Sequence, residues 1–240
     1  MPELRDPVSS ASHLFTALWA AYATLVMVRL AAGRPGRRLP VFVYGLSMVL
    51  LYAASGTFHG LYYDTPEQRR FFQRLDQSAV YLLIAGTNTP IIAILLRGAW
   101  RKWLLRLVWL LALAGVGCLW LLPKAPHAAM VAFYLVLGWT GVIPVPLYYR
   151  AVGWRAMNWA ALGAGLYTAG AVFELAQWPV IVPGWIQAHE VLHFCDTAAS
   201  MAFFVFVVRV VIPYRPAAAA GSEPVKFPAL PPVHSPLAGR

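Results

Sequence analysis

Seven apolar stretches run along this 240-residue chain, each close to the ~20 residues an α-helix needs to cross a bilayer. They fall at 12–32, 40–60, 76–96, 104–122, 128–149, 157–177 and 188–212. None alternates apolar with polar residues, the pattern of a transmembrane β-strand. The expectation is therefore an all-α, integral membrane protein, a bundle of seven transmembrane helices forming one domain over 12–212. Charged residues make up 12% of the chain, half the ~25% of a soluble domain, which fits lipid as the solvent.

Residues 1–11 read as a short polar N-terminus, and 213–240, rich in Pro and Ala, as a disordered tail. The first residues lack a basic region followed by a short apolar one, so no cleaved signal peptide is expected and the first span serves as its own insertion signal. Cys118 and Cys195 both fall within spans, and no structural disulfide is expected.

The net charge of +10 does not mark a nucleic-acid surface, because its distribution follows the membrane. Of the nineteen basic residues, Arg5, Arg69, Arg70, Arg74 and Lys124 belong to the N-terminus and to the loops on its side. The other fourteen, among them Arg34, Arg37, Arg38, Arg101, Lys102, Arg150, Arg155 and Arg215, belong to the opposite side. The positive-inside rule then puts the C-terminus in the cytoplasm and the N-terminus outside.

Counting crossings also gathers the chemistry. The second span ends, and the third and seventh begin, on the N-terminal side of the membrane. His59 closes the second span, Asp76 opens the third, and His189 and His193 occupy the first turns of the seventh. Ser55 and His59 share one helical face, as do His189 and His193, and the latter face continues to Asp196 and Ser200. Two histidines at i and i+4 can hold one metal ion, with His59 as a third ligand and water in the fourth tetrahedral position. Asp76 is placed to accept a hydrogen bond from that water, Ser55 to donate to a substrate oxygen or to Asp76, and Asp196 to support the ligands from behind. Zinc leads among the divalent ions that accept imidazole. His13 and His127 read as ordinary residues of helix ends, and Glu174 and Glu190 as groups facing interfacial water. A retinal Schiff base would need a lysine in mid-membrane, and the spans hold none. Haem held between two histidines is disfavoured because the candidates lie at one depth.

Leu75-Asp76-Gln77-Ser78-Ala79-Val80-Tyr81-Leu82-Leu83-Ile84-Ala85-Gly86-Thr87-Asn88-Thr89-Pro90 closely resembles the third-helix signature of the hemolysin III family, the bacterial branch of the progestin and adiponectin receptor superfamily. Ser55-Gly56-Thr57-Phe58-His59 resembles its second-helix motif, and His189-Glu190-Val191-Leu192-His193 its seventh. Asp6, Ser9, Ser12 and His13 stand where the family has an acidic residue, an asparagine and a Thr-His pair. Asn88 replaces an aromatic residue, and Phe203 a further histidine. The resemblance implies a seven-helix fold in the bacterial inner membrane with zinc on His59, His189 and His193, Asp76 holding a water there and Ser55 beside it. Relatives in the wider superfamily, the alkaline ceramidases among them, hydrolyse lipid amides.

The resulting expectation is a zinc-dependent hydrolase acting within the bilayer on a lipid amide or ester. Asp76 is its general base, and Ser55 helps stabilise the oxyanion. The alternative is a non-catalytic, zinc-stabilised receptor or scaffold for which a membrane lipid is a ligand. A cytolytic pore former is disfavoured, since no amphipathic insertion segment accompanies the spans.

Overall fold

The computed structural model describes residues 5–122 and 126–216. Lys124, His234 and most of the expected C-terminal tail lie outside the described residues, as does the side chain of His127. Among the described residues regular structure is helical, apart from one isolated bridge between Val182 and Ile186. The helices are α1 (Pro7–Leu30), α2 (Arg38–Gly60), α3 (Pro66–Leu95), α4 (Gly98–Leu121), α5 (His127–Trp139), α6 (Val145–Val152), α7 (Trp154–Ala176) and α8 (Ala188–Phe206). A π-helical turn, Val207–Val211, prolongs α8. Among the described residues six helices are long and apolar enough to cross a membrane, and the bent pair α5–α6 brings the number to seven when counted as one span.

Three elements differ from the sequence expectation, each for a local reason. α1 begins at Pro7, inside the stretch read as a polar N-terminus, because proline suits the first turn of a helix. α3 begins ten residues before Asp76, with Thr65 Oγ1 accepting from the Gln68 backbone N–H and Gln68 Oε1 accepting from the Asp64 N–H. That reciprocal cap starts the helix in a charged segment with no apolar signal. At ~1.5 Å per residue, the 30 residues of α3 exceed the hydrocarbon thickness, and its charged first turns are the part suited to lie beyond the membrane core. Asp76 therefore lies well inside α3 and does not open it. The fifth span breaks at Thr140–Val142, and its halves meet at 44°. Pro144 and Pro146 lack the N–H groups needed to carry the α-helical ladder through.

In sequence, α1 packs on α2, α2 on α3, and α3 on α4, while α7 pairs with α8 and α8 returns to α1. Helices α2 and α3 approach closely at Gly86, where a Cβ would lie 2.1 Å from Ser47 Oγ. Small residues at such crossings let backbones meet where lipid supplies little hydrophobic drive. Tyr44, Tyr52, Met27, Met48 and Phe206 fill the interior. Outward-facing Phe15, Leu18 and Leu121 are 74%, 70% and 81% exposed, part of an apolar exterior that suits acyl chains. At the end opposite the N-terminus, the Arg37 guanidinium donates to the backbone carbonyls of Ile212 and Tyr214. It thereby serves carbonyls that the end of the last helix leaves unpaired.

Candidate metal centre

The chain start folds back onto the end of α2. The Asp6 N–H donates to the His59 carbonyl at 3.0 Å, and Asp6 Oδ2 lies 3.0 Å from His59 Nδ1. Arg5 reaches the same carboxylate at 3.0 Å while stacking over Phe58, 4.6 Å from the ring centroid. Burial alone would raise the Asp6 carboxyl, but hydrogen bonds from His59 and Arg5 outweigh it and hold the group below the usual carboxylate range. An ionised carboxylate only accepts. His59 Nδ1 therefore carries a proton, and Nε2 presents its lone pair to the interior.

The start of α8 faces this pair. Gln187 and Glu190 form a reciprocal cap on the helix, and Glu190 Oε1 also accepts from Ser9 Oγ at 2.9 Å, tying α8 to α1. The cap places His189 in the first turn and His193 one turn on. His189 Nδ1 lies 3.3 Å from Glu174 Oε2, at the end of α7. With that carboxylate accepting from Nδ1, the Nε2 of the neutral His189 ring also presents a lone pair.

The two Nε2 atoms stand 3.3 Å apart. Lone pairs aimed at each other at that distance repel unless a proton or a metal ion lies between them. Nitrogens at 2.0–2.1 Å from one tetrahedral ion are themselves ~3.3 Å apart. His193 completes the group, with one ligand atom from each of His59, His189 and His193 lying within 4.8 Å of the others. His193 is 4% exposed, and its Nδ1 is buried with no hydrogen-bond partner among the described residues. A donor set of three neutral imidazoles, two of them oriented by carboxylates from behind, fits a transition metal such as zinc.

The other expected residues lie around this group. Ser55 is buried and in hydrogen-bonding contact with the partly buried Asp76, its hydroxyl facing the carboxylate. Asp76 is within electrostatic range of His189, and Asp196 within range of His189, Asp76 and Glu174. Asp196 stands one turn beyond His193, where Tyr52 donates to its backbone carbonyl at 2.8 Å.

Sequence reasoning gave four participants no part in the centre. Asp6 and Glu174 orient the histidines, Glu190 caps α8 and holds Ser9, and His13 is buried against His193. Each sits at or near a helix end on the same side as His59, so parity flagged the neighbourhood. The pairings depend on how the helices are rotated, which parity does not give. Asp6→Ala is expected to weaken metal binding about 10–100-fold, the usual cost of losing a carboxylate that orients a histidine ligand. Competition with a chelator of known affinity checks this. An unchanged affinity would leave the Asp6 backbone contact as sufficient to place His59.

A family profile described as Haemolysin-III related matches residues 3–204. The chain is 34% identical over 172 residues to "Hemolysin-3" of Bacillus cereus, covering 71% of this chain and 74% of that protein. It is 33% identical over 133 residues to "Hemolysin-3 homolog" of Bacillus subtilis (strain 168), covering 55% and 62% respectively. With the helical membrane bundle and the histidine cluster in place, these matches show that the chain belongs to the hemolysin III family.

Proposed function

We propose that this protein is a zinc-dependent hydrolase that cleaves a lipid amide or ester inside the membrane. The observation that carries the reading is the pair of carboxylate-oriented imidazoles whose Nε2 atoms meet at 3.3 Å beside His193. The resemblance to the progestin and adiponectin receptor superfamily supports the same reading. His59, His189 and His193 would hold the zinc, which when bound acts as a Lewis acid and lowers the pKa of water to about 7.

The chain's own groups then have distinct tasks. Asp6 and Glu174 fix the ring planes of His59 and His189. An Asp76 carboxylate oxygen takes the proton of the attacking water and returns it to the leaving amine or alcohol. The single Ser55 hydroxyl proton serves either that carboxylate or the developing oxyanion. Asp196 supports the same region from one turn deeper. The acyl chain lies along the apolar bundle. By the distribution of basic residues the site faces outward and the C-terminus is cytoplasmic, in the inner membrane of a bacterium.

A second reading is a zinc-stabilised receptor or scaffold that binds lipid without cleaving it. It is favoured by the way the centre draws on both ends of the chain, with Asp6 and Ser9 tied to α2 and α8. Chelation and product formation separate the two readings. The purified protein is expected to hold zinc and to release fatty acid from ceramide or a related N-acyl lipid. A chelator should stop that release, and added zinc should restore it. Zinc without product across amide and ester lipids would favour the receptor reading; no bound metal would remove both.

A further inference from the structure

α1 brings to this centre an imidazole that the reading above leaves unused. His13 is 2% exposed. Its ring stacks on His193, with centroids 3.8 Å apart and planes 15° from parallel. Its other neighbour is Tyr52, met edge-on at 5.0 Å. Both ring nitrogens of His13 are buried without a hydrogen-bond partner among the described residues, as is Nδ1 of His193. The His193 backbone faces the ring but makes no hydrogen bond of ordinary geometry with it.

A neutral imidazole has one donor and one acceptor, and burying both unmet is costly. The donor hydrogens of neighbouring hydroxyls are already engaged. Ser9 Oγ donates to Glu190, Ser10 Oγ to the Gly56 carbonyl at 2.8 Å, and the Tyr52 hydroxyl to the Asp196 carbonyl. The stacking also rules out one use of the ring. Imidazole lone pairs lie in the ring plane, and two nearly parallel planes 3.8 Å apart do not converge on one ion. His13 therefore cannot grip the ion that His193 holds, yet it lies directly against that ligand.

We propose that His13 is a ligand-binding residue of the metal centre, whose ring hydrogen-bonds the oxygen of a neutral molecule seated beside His193. The chemistry it fits is an oxygen able to donate and accept, supplied by water or by the polar group of a lipid. A charged occupant is disfavoured by the burial of the ring and its aromatic neighbour. The assignment rests on the metal-centre reading.

Cobalt(II), loaded in place of zinc, tests it, because its visible absorption responds to the groups around the ion. Wild type, His13→Phe and His13→Gln are compared in delipidated detergent and again after adding ceramide. Phenylalanine keeps the stacked ring and removes both nitrogens, while glutamine restores a donor and an acceptor. The expected result is equal cobalt content in all three, a shifted band in His13→Phe and a band returned toward wild type in His13→Gln. A shift already present without lipid identifies water; one that needs ceramide identifies the lipid. Should His13→Phe not fold, His13→Met gives the same comparison without the ring. Full cobalt with identical spectra under both conditions overturns the assignment, and so does loss of cobalt from both variants, which would make the ring necessary for the ion itself. Wild-type protein that takes up no cobalt overturns the metal-centre reading and this inference with it.

Discussion

Asp76→Asn is expected to keep the wild-type zinc content and to lower lipid-amide hydrolysis about 10²–10⁴-fold, the range lost with a positioned general base. Asparagine preserves the size of the side chain and can still hydrogen-bond the Ser55 hydroxyl that faces residue 76. What it removes is the capacity to take a proton. None of the three candidate ligands is altered, because Asp76 does not belong to the set His59, His189 and His193. Zinc content and fatty-acid release, measured on one preparation, check both halves. Turnover within about two-fold of wild type would take the base role from Asp76. Zinc lost with turnover would instead make Asp76 part of the hold on the ion.

The second large effect concerns His189. Its replacement by alanine removes one of the facing Nε2 atoms and leaves Glu174, 8% exposed, without its ring partner. Metal affinity should fall by more than the ~10–100-fold typical of an orienting residue. A 100-fold loss forfeits about 2.3 kcal/mol of stabilisation at a metal concentration ~100 times the wild-type dissociation constant. The expected observation is a lower unfolding temperature for His189→Ala in the presence of zinc and a much smaller gap in chelator. A gap of equal size with and without metal would assign the effect to packing and weaken the case for a bound ion.

The membrane architecture was legible because run length and low charge report directly on hydrocarbon thickness. The gathering of His59, His189 and His193 was legible for a related reason: alternate crossings put their helix ends at one depth. Other features carry weaker signals. The extra turns of α3 consist of charged residues, and only the Thr65–Gln68 cap marks where they begin. The break in the fifth span was written in Pro144 and Pro146, but an apolar run of sufficient length masks a bend.

The partners of the histidines were the least legible part. Asp6 precedes Pro7 in the position of a helix cap, yet its side chain makes no cap and turns to His59. Glu174 has the look of a solvated group at a span end and instead meets His189 across the α7–α8 connection. His13 reads as a residue of a helix end because sequence gives its depth and not its direction; the packing of α1 on α8 turns it inward.

The same closure has a consequence for biogenesis. The contacts that draw the two ends together bridge 181 residues from Ser9 to Glu190 and 130 from His59 to His189. A nascent chain that has delivered six spans to the bilayer carries one imidazole of the three, together with α1 and α2, which bring Asp6 to that ring in the finished fold. The three imidazoles come together only once α8 packs against α7 and α1. On the proposed metal-centre reading, ion capture follows insertion of α8, and a product arrested before residue 188 lacks two of the three proposed ligands.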